Sequence, residues 1–119
     1  MGEKPETKVV RDIVKKLKAN RRWDGFKVYG NMMQRAGEPD LDGSLWSSRL
    51  HEAGRPDVLC WIHCKFEVKQ GDNVATPLQL HRIEVYKDRG YCAGVIYGYE
   101  DACALIAEYE DVLLEGRVI

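Results

Sequence analysis

Glu67 and Lys69, in the stretch Phe66-Glu67-Val68-Lys69, are the first residues whose types and spacing suggest chemistry. Side chains alternate along a strand, so residues two apart share a face. Glu67 and Lys69 then stand side by side, while Phe66 and Val68 point the other way, into a core. Taken alone, such a pair is an ordinary salt bridge on a solvated sheet. Context adds to it. Gly37-Glu38-Pro39 is a turn signal, and it delivers Asp40 at the start of a strand upstream. Two carboxylates from neighbouring strands suit a hard divalent cation, and an adjacent ammonium can face an anion. Thr76-Pro77-Leu78-Gln79 adds a glutamine in the first turn of the helix that follows.

These residues need a frame. Residues 5–20 read as a helix, with Pro5 in the first turn and Val9, Val10, Ile13, Val14 and Leu17 at helical spacing. Phe26 to Tyr29 read as a short strand and Asp40 to Trp46 as a second. Residues 47–56 read as a polar insertion between strands, with room for one helical turn. Val58 to Lys69 is the clearest strand, since Val58, Cys60, Ile62, Cys64, Phe66 and Val68 alternate onto one face. Thr76 as N-cap and Pro77 at the first helical position open a helix that runs to about Arg89, where Gly90 ends it. Tyr91 to Tyr97 is a strand and Glu100 to Glu110 a final helix. The order α-β-β-β-α-β-α predicts a single α/β domain over residues 1–119, with a central mixed sheet flanked by helices.

Glu6 precedes Val9 and Val10 by three and four residues and shares their inward stripe. A carboxylate there needs a partner or a cation; the alternative is a first-turn Glu favoured by the helix dipole.

Taken together, QRAGEPDLDG at residues 34–43, FEVK at 66–69, TPLQ at 76–79 and GYCAGVIYGYEDA at 90–102 resemble the PD-(D/E)xK nuclease superfamily. More narrowly, they resemble the virus-type replication-repair nuclease (VRR-NUC) family of small phage and bacterial proteins. The resemblance spans nearly the whole chain, in order. It implies a restriction-endonuclease-like core, Mg2+ (with Mn2+ as substitute), and cleavage of DNA phosphodiester bonds, with branched substrates such as four-way junctions cut by a homodimer. It implies that Glu6 assists the metal site and that Gln79 orients the lysine or the attacking water. The chemistry fits the residue types. A divalent metal acts as Lewis acid and lowers the pKa of bound water. Asp40 and Glu67 suit its coordination, with the backbone carbonyl of Val68 as a further oxygen, and Lys69 suits stabilisation of developing negative charge. Rival readings are a restriction-type nuclease on duplex DNA and a non-catalytic DNA-binding module that keeps the fold.

A second Gly-Arg-Pro-Asp at residues 54–57 departs from the family pattern and makes Asp57 an alternative ligand. Asp57 lies only ten residues before Glu67, closer than Asp40 does. If Val58 to Lys69 is one strand, however, ten residues at roughly 3.3 Å each separate Asp57 from Glu67 by about 33 Å. That geometry favours Asp40. Asp42, on the same strand face, is a minor candidate for a second metal.

The 119 residues carry 45% apolar and 31% charged side chains, a globular profile with no membrane-length apolar run or signal peptide. A cytosolic setting is the expectation, and the four cysteines then read as reduced thiols. Cys60, His63 and Cys64 lie in the alternating run, which favours inward packing over zinc binding. The net charge of −1 hides an asymmetry: residues 1–35 carry ten Lys and Arg against four Asp and Glu, and residues 99–119 carry one against six. A basic first third can attract phosphates, or simply solvate a helix face. Trp23, Trp46 and Trp61 read as core or interface residues, with base stacking as the alternative.

Overall fold

The computed structural model describes residues 5–27 and 36–116, apart from the side chains of residues 5–7, 26 and 27. The elements are α1 (Pro5–Arg21), β1 (Trp23–Lys27), β2 (Leu41–Trp46), α2 (Ser48–Glu52), α3 (Asp57–Cys60), β3 (Trp61–Val68), α4 (Pro77–Asp88), β4 (Cys92–Ile96) and α5 (Tyr99–Leu114). The strands form one sheet in the order β1-β2-β3-β4. β1, β2 and β3 run antiparallel in sequence, and β4 joins β3 in parallel through the α4 crossover.

Alternation decides which face is core. Ile62, Cys64, Phe66 and Val68 of β3 are each exposed by 1% or less, and they pack with Val10, Ile13 and Leu17 of α1 and Ala102 and Ile106 of α5. On the opposite face, α4 lays Ile83 and Tyr86 against Ala93 of β4. That helix packs on β3 and β4. At the other side of the core, the Trp23 ring stacks on Phe66 with centroids 6.4 Å apart. Gly25 and Gly43 face each other across β1 and β2, and a Cβ on either would come within 2.6 Å of the Trp23 ring. The pair of glycines is therefore a seat for the indole. Trp23 belongs to the core, and β1 begins three residues earlier than the sequence suggests.

The largest departure from the sequence reading is at the start of β3. Val58 to Cys60 continue the alternating pattern, yet residues 57–60 form the helical turn α3. Pro56 caps it, with Leu59 N donating to the Pro56 carbonyl at 2.8 Å. Val58 is 78% exposed and does not join the core face. The segment between β2 and β3 also holds α2, which Ser47 caps by accepting from Leu50 N. Ser47 Oγ in turn donates to Glu110 Oε2 of α5 at 2.5 Å, so this connection is tied to the body of the fold.

Candidate active site

The antiparallel register of β2 and β3 builds a two-column ladder on the α4 side of the sheet. Its rungs are Trp46 with Trp61, Ser44 with His63, and Asp42 with Lys65. Leu41 pairs with Phe66, so one more step along the same register sets Asp40 opposite Glu67. Residues directly opposite have Cβ atoms roughly 5 Å apart, which brings two carboxylates to one point. The Asp40 loop is anchored to β3 by Val68 N, which donates to Asp40 Oδ2 at 2.9 Å. Lys69 N donates to the Ile96 carbonyl at 2.9 Å and fixes the end of β3 against β4.

Glu67 is the residue that ordinary packing does not explain. It is 2% exposed, its Oε1 lies 3.5 Å from Lys69 Nζ, and its buried Oε2 has no hydrogen-bond partner among the described residues. Burial, and then the charge of Asp40, push its carboxyl up to about 8, while Lys69 pulls in the opposite direction. A buried carboxylate oxygen without a donor costs free energy unless a proton or a cation completes it. Two hard oxygen donors converging there, one of them orphaned, fit a divalent cation such as Mg2+ or Mn2+.

The structure thus brings Asp40, Glu67 and Lys69 together at the C-terminal end of β3. Asp57 is elsewhere. It lies in α3, its side chain is 79% exposed, and it faces His51 Nδ1 at 3.5 Å. From Trp61, where β3 starts, to Glu67 is already about 20 Å of strand. Asp57 therefore stays too far from Glu67 to share a cation, although a helical turn replaces the first part of the expected strand and shortens the separation. Glu6 lies in α1, and its side chain is outside the described residues. Gln79 sits in the first turn of α4 within a capping box: its Oε1 accepts from Thr76 N at 2.9 Å, and its own N–H donates to Thr76 Oγ1 at 3.1 Å. Its carbonyl oxygen is committed to the helix end, which leaves the amide nitrogen for any contact with the site.

Asp42 has a different partner from the one considered for it. Lys65 Nζ is 2.5 Å from Asp42 Oδ2, so a cation from the chain itself neutralises that carboxylate. The Lys65 ammonium also lies 4.7 Å from the centre of the Tyr86 ring, and Tyr86 OH donates to Glu38 Oε2 at 2.6 Å. Lys65, Tyr86 and Glu38 form a buttress beneath the turn that carries Asp40. The sequence held a clue in Lys65-x-Glu67-x-Lys69, three charges on one strand face, but their partners depend on cross-strand register.

No protein-family model matches the sequence, and no curated protein matches it. A solved structure described as a VRR_NUC domain protein shares the fold with a TM-score of 0.57 and 24% identity, over 92% of this chain and 90% of that one. No described helix is long and apolar enough to cross a membrane. The four-stranded mixed sheet between helices is an architecture this chain shares with that solved structure, and it is the restriction-endonuclease-like α/β fold that the sequence resemblance implies.

Proposed function

We propose that this chain is a divalent-metal-dependent DNA endonuclease of the PD-(D/E)xK type. The observation that carries the reading is the orphaned, buried Oε2 of Glu67 beside Asp40, with Lys69 at its other oxygen. Asp40 and Glu67 would hold Mg2+, with Mn2+ as substitute, and the Val68 carbonyl is available as a further oxygen. The bound cation supplies Lewis acidity and a water of lowered pKa. The chain supplies the rest. Glu67 near the end of β3 and Asp40, whose loop Val68 N anchors, would present two carboxyl groups to the cation from fixed positions. Lys69 holds its ammonium where negative charge develops on the phosphoryl oxygens. Glu6 is assigned to the support of the metal site and the Gln79 amide nitrogen to orienting Lys69 or the attacking water.

The resemblance to VRR-NUC proteins supports a preference for branched DNA, such as four-way junctions, and action as a homodimer, because paired nicks need two sites related by symmetry. The deciding experiment is cleavage of duplex, flap and four-way junction DNA with Mg2+, with Mn2+ and with EDTA. Metal-dependent nicking of junction DNA, lost in Lys69→Ala, is the expected result. Faster cutting of plain duplex would favour the restriction-type reading. Tight DNA binding with no cleavage under either metal would leave a binding module and refute the nuclease.

A further inference from the structure

We infer that the far end of the β2–β3 ladder is a stacking platform for unpaired bases of the DNA strand whose phosphate reaches Glu67 and Lys69. This inference rests on the proposed nuclease reading and extends it to the substrate. Trp46 and Trp61 form the last rung, with ring centroids 5.4 Å apart and planes at 70°. Trp61 is 41% exposed despite its size, and the neighbouring rung presents the exposed His63. α4 packs on β3 and β4 and leaves this rung uncovered, while His51 of α2 lies against Trp46 with ring centroids 5.3 Å apart, so the open indole is that of Trp61.

Arg22 gives the face its charge. Its guanidinium lies 5.2 Å from the Trp46 ring centre and 5.5 Å from that of Trp61. Arg22 follows α1 with φ of 51°, a left-handed position where glycine or asparagine is the easier residue. That conformation sends the chain from α1 into β1 and leaves the cation on the two indoles. A cation held over aromatic faces suits a strand that carries both phosphates and bases. Asp24 shares this side at the β1 strand, Asp57 lies at its edge beside His51, and Asp42, midway along the ladder, is neutralised by Lys65.

The platform is continuous with the proposed active site. Trp61 and Glu67 share a face of one strand, about 20 Å apart at roughly 3.3 Å per residue. At roughly 3.4 Å per stacked nucleotide that distance spans about six nucleotides, and fewer in a drawn-out strand. Bases inside a duplex have no free face to offer an indole, so the occupant is a single-stranded or frayed segment flanking the cut. Val58 and Leu59, exposed beside Trp61, make a second copy of this chain the competing occupant.

The test is binding in EDTA, where cleavage cannot interfere. Labelled blunt duplex is compared with the same duplex carrying a single-stranded tail of about ten nucleotides. Trp61→Ala is expected to raise the Kd for tailed DNA about tenfold and to leave that for blunt duplex unchanged. Trp61→Phe is expected to restore most of the loss, which a merely misfolded variant would not do. Equal weakening on both DNAs, or no weakening on tailed DNA, overturns the platform. So does a fall in the sedimenting mass of Trp61→Ala, which would give the face to a second copy. If the parent cuts no DNA yet binds tails through Trp61, the nuclease reading fails and the platform stands.

Discussion

Glu67 and Glu110 are both buried glutamates, exposed by 2% and 3%, and the chain treats them in opposite ways. Glu110 is closed off. Its Oε2 accepts from Ser47 Oγ and its Oε1 lies 3.4 Å from Arg49. Glu67 has Lys69 on one oxygen, no hydrogen-bond partner on the other among the described residues, and the Asp40 carboxylate opposite. The first arrangement is what a fold needs to bury a charge. The second leaves an oxygen without a donor among the described residues, which is what the proposed metal site requires. Burial alone does not separate the two acids; the missing donor and the second carboxylate do.

The comparison breaks most visibly on activity. Asp40→Ala and Glu67→Gln are expected to abolish metal-dependent cleavage, and Lys69→Ala to lower it by about a hundred- to a thousandfold. Glu110→Gln folds as before and keeps its cutting rate. Single-turnover assays on junction DNA measure all four.

Stability should move in the reverse sense. In EDTA at pH 7, Glu110→Gln disturbs the acceptor for Ser47 and the partner of Arg49 and costs about 1–3 kcal/mol. Glu67→Gln removes a carboxyl that burial and Asp40 oppose charging, so its Tm rises above that of the parent. Added Mn2+ reverses the ranking, since a ligand at a hundredfold its Kd stabilises by roughly 2.7 kcal/mol and Glu67→Gln cannot use it. Thermal melts with and without metal read both changes.

The pH dependence sharpens the same contrast. The folded carboxyl of Glu67 sits at about 8, above its ordinary value of 4.5. The native state therefore holds a proton that the unfolded chain releases. Its contribution to metal-free stability is fully present below the ordinary value and is lost as pH rises toward 8. Cation affinity runs the other way, rising over that window as the proton becomes easier to displace. Melts in EDTA and Mn2+ titrations from pH 5 to 8 should give slopes of opposite sign, both flattened in Glu67→Gln. The smallest effect is expected from Asp57→Ala, which should leave cleavage and Tm close to the parent's, as its carboxylate is exposed and faces His51 rather than Glu67.

Much of this was legible in the sequence, and the parts that were not share a cause. Phe66 to Lys69 declare their faces by alternation, and Gly37-Glu38-Pro39 announces the turn before Asp40. The helix at Thr76-Pro77 is equally plain, and Thr-x-x-Gln is also a capping signature. That signature is a local demand on Gln79 that competes with the role implied by resemblance. Val58 and Cys60 kept the parity of a strand, so the α3 turn was hidden; Pro56, as a helix N-cap, is the signal that outweighs it. Lys65, Tyr86 and Glu38 come from three elements, and only register and packing join them. The Trp46–Trp61 rung was invisible for the same reason, whereas Trp23 is sorted into the core by the glycines opposite its ring.

The central claim is that Asp40 and Glu67 complete their coordination with a divalent cation. Anomalous diffraction from a crystal soaked in Mn2+ tests it most directly. The expected result is a peak beside Asp40 and Glu67, absent in Asp40→Ala and retained in Asp57→Ala. A peak at Asp57, or a carboxylate pair that stays metal-free while DNA is still cut, would contradict it.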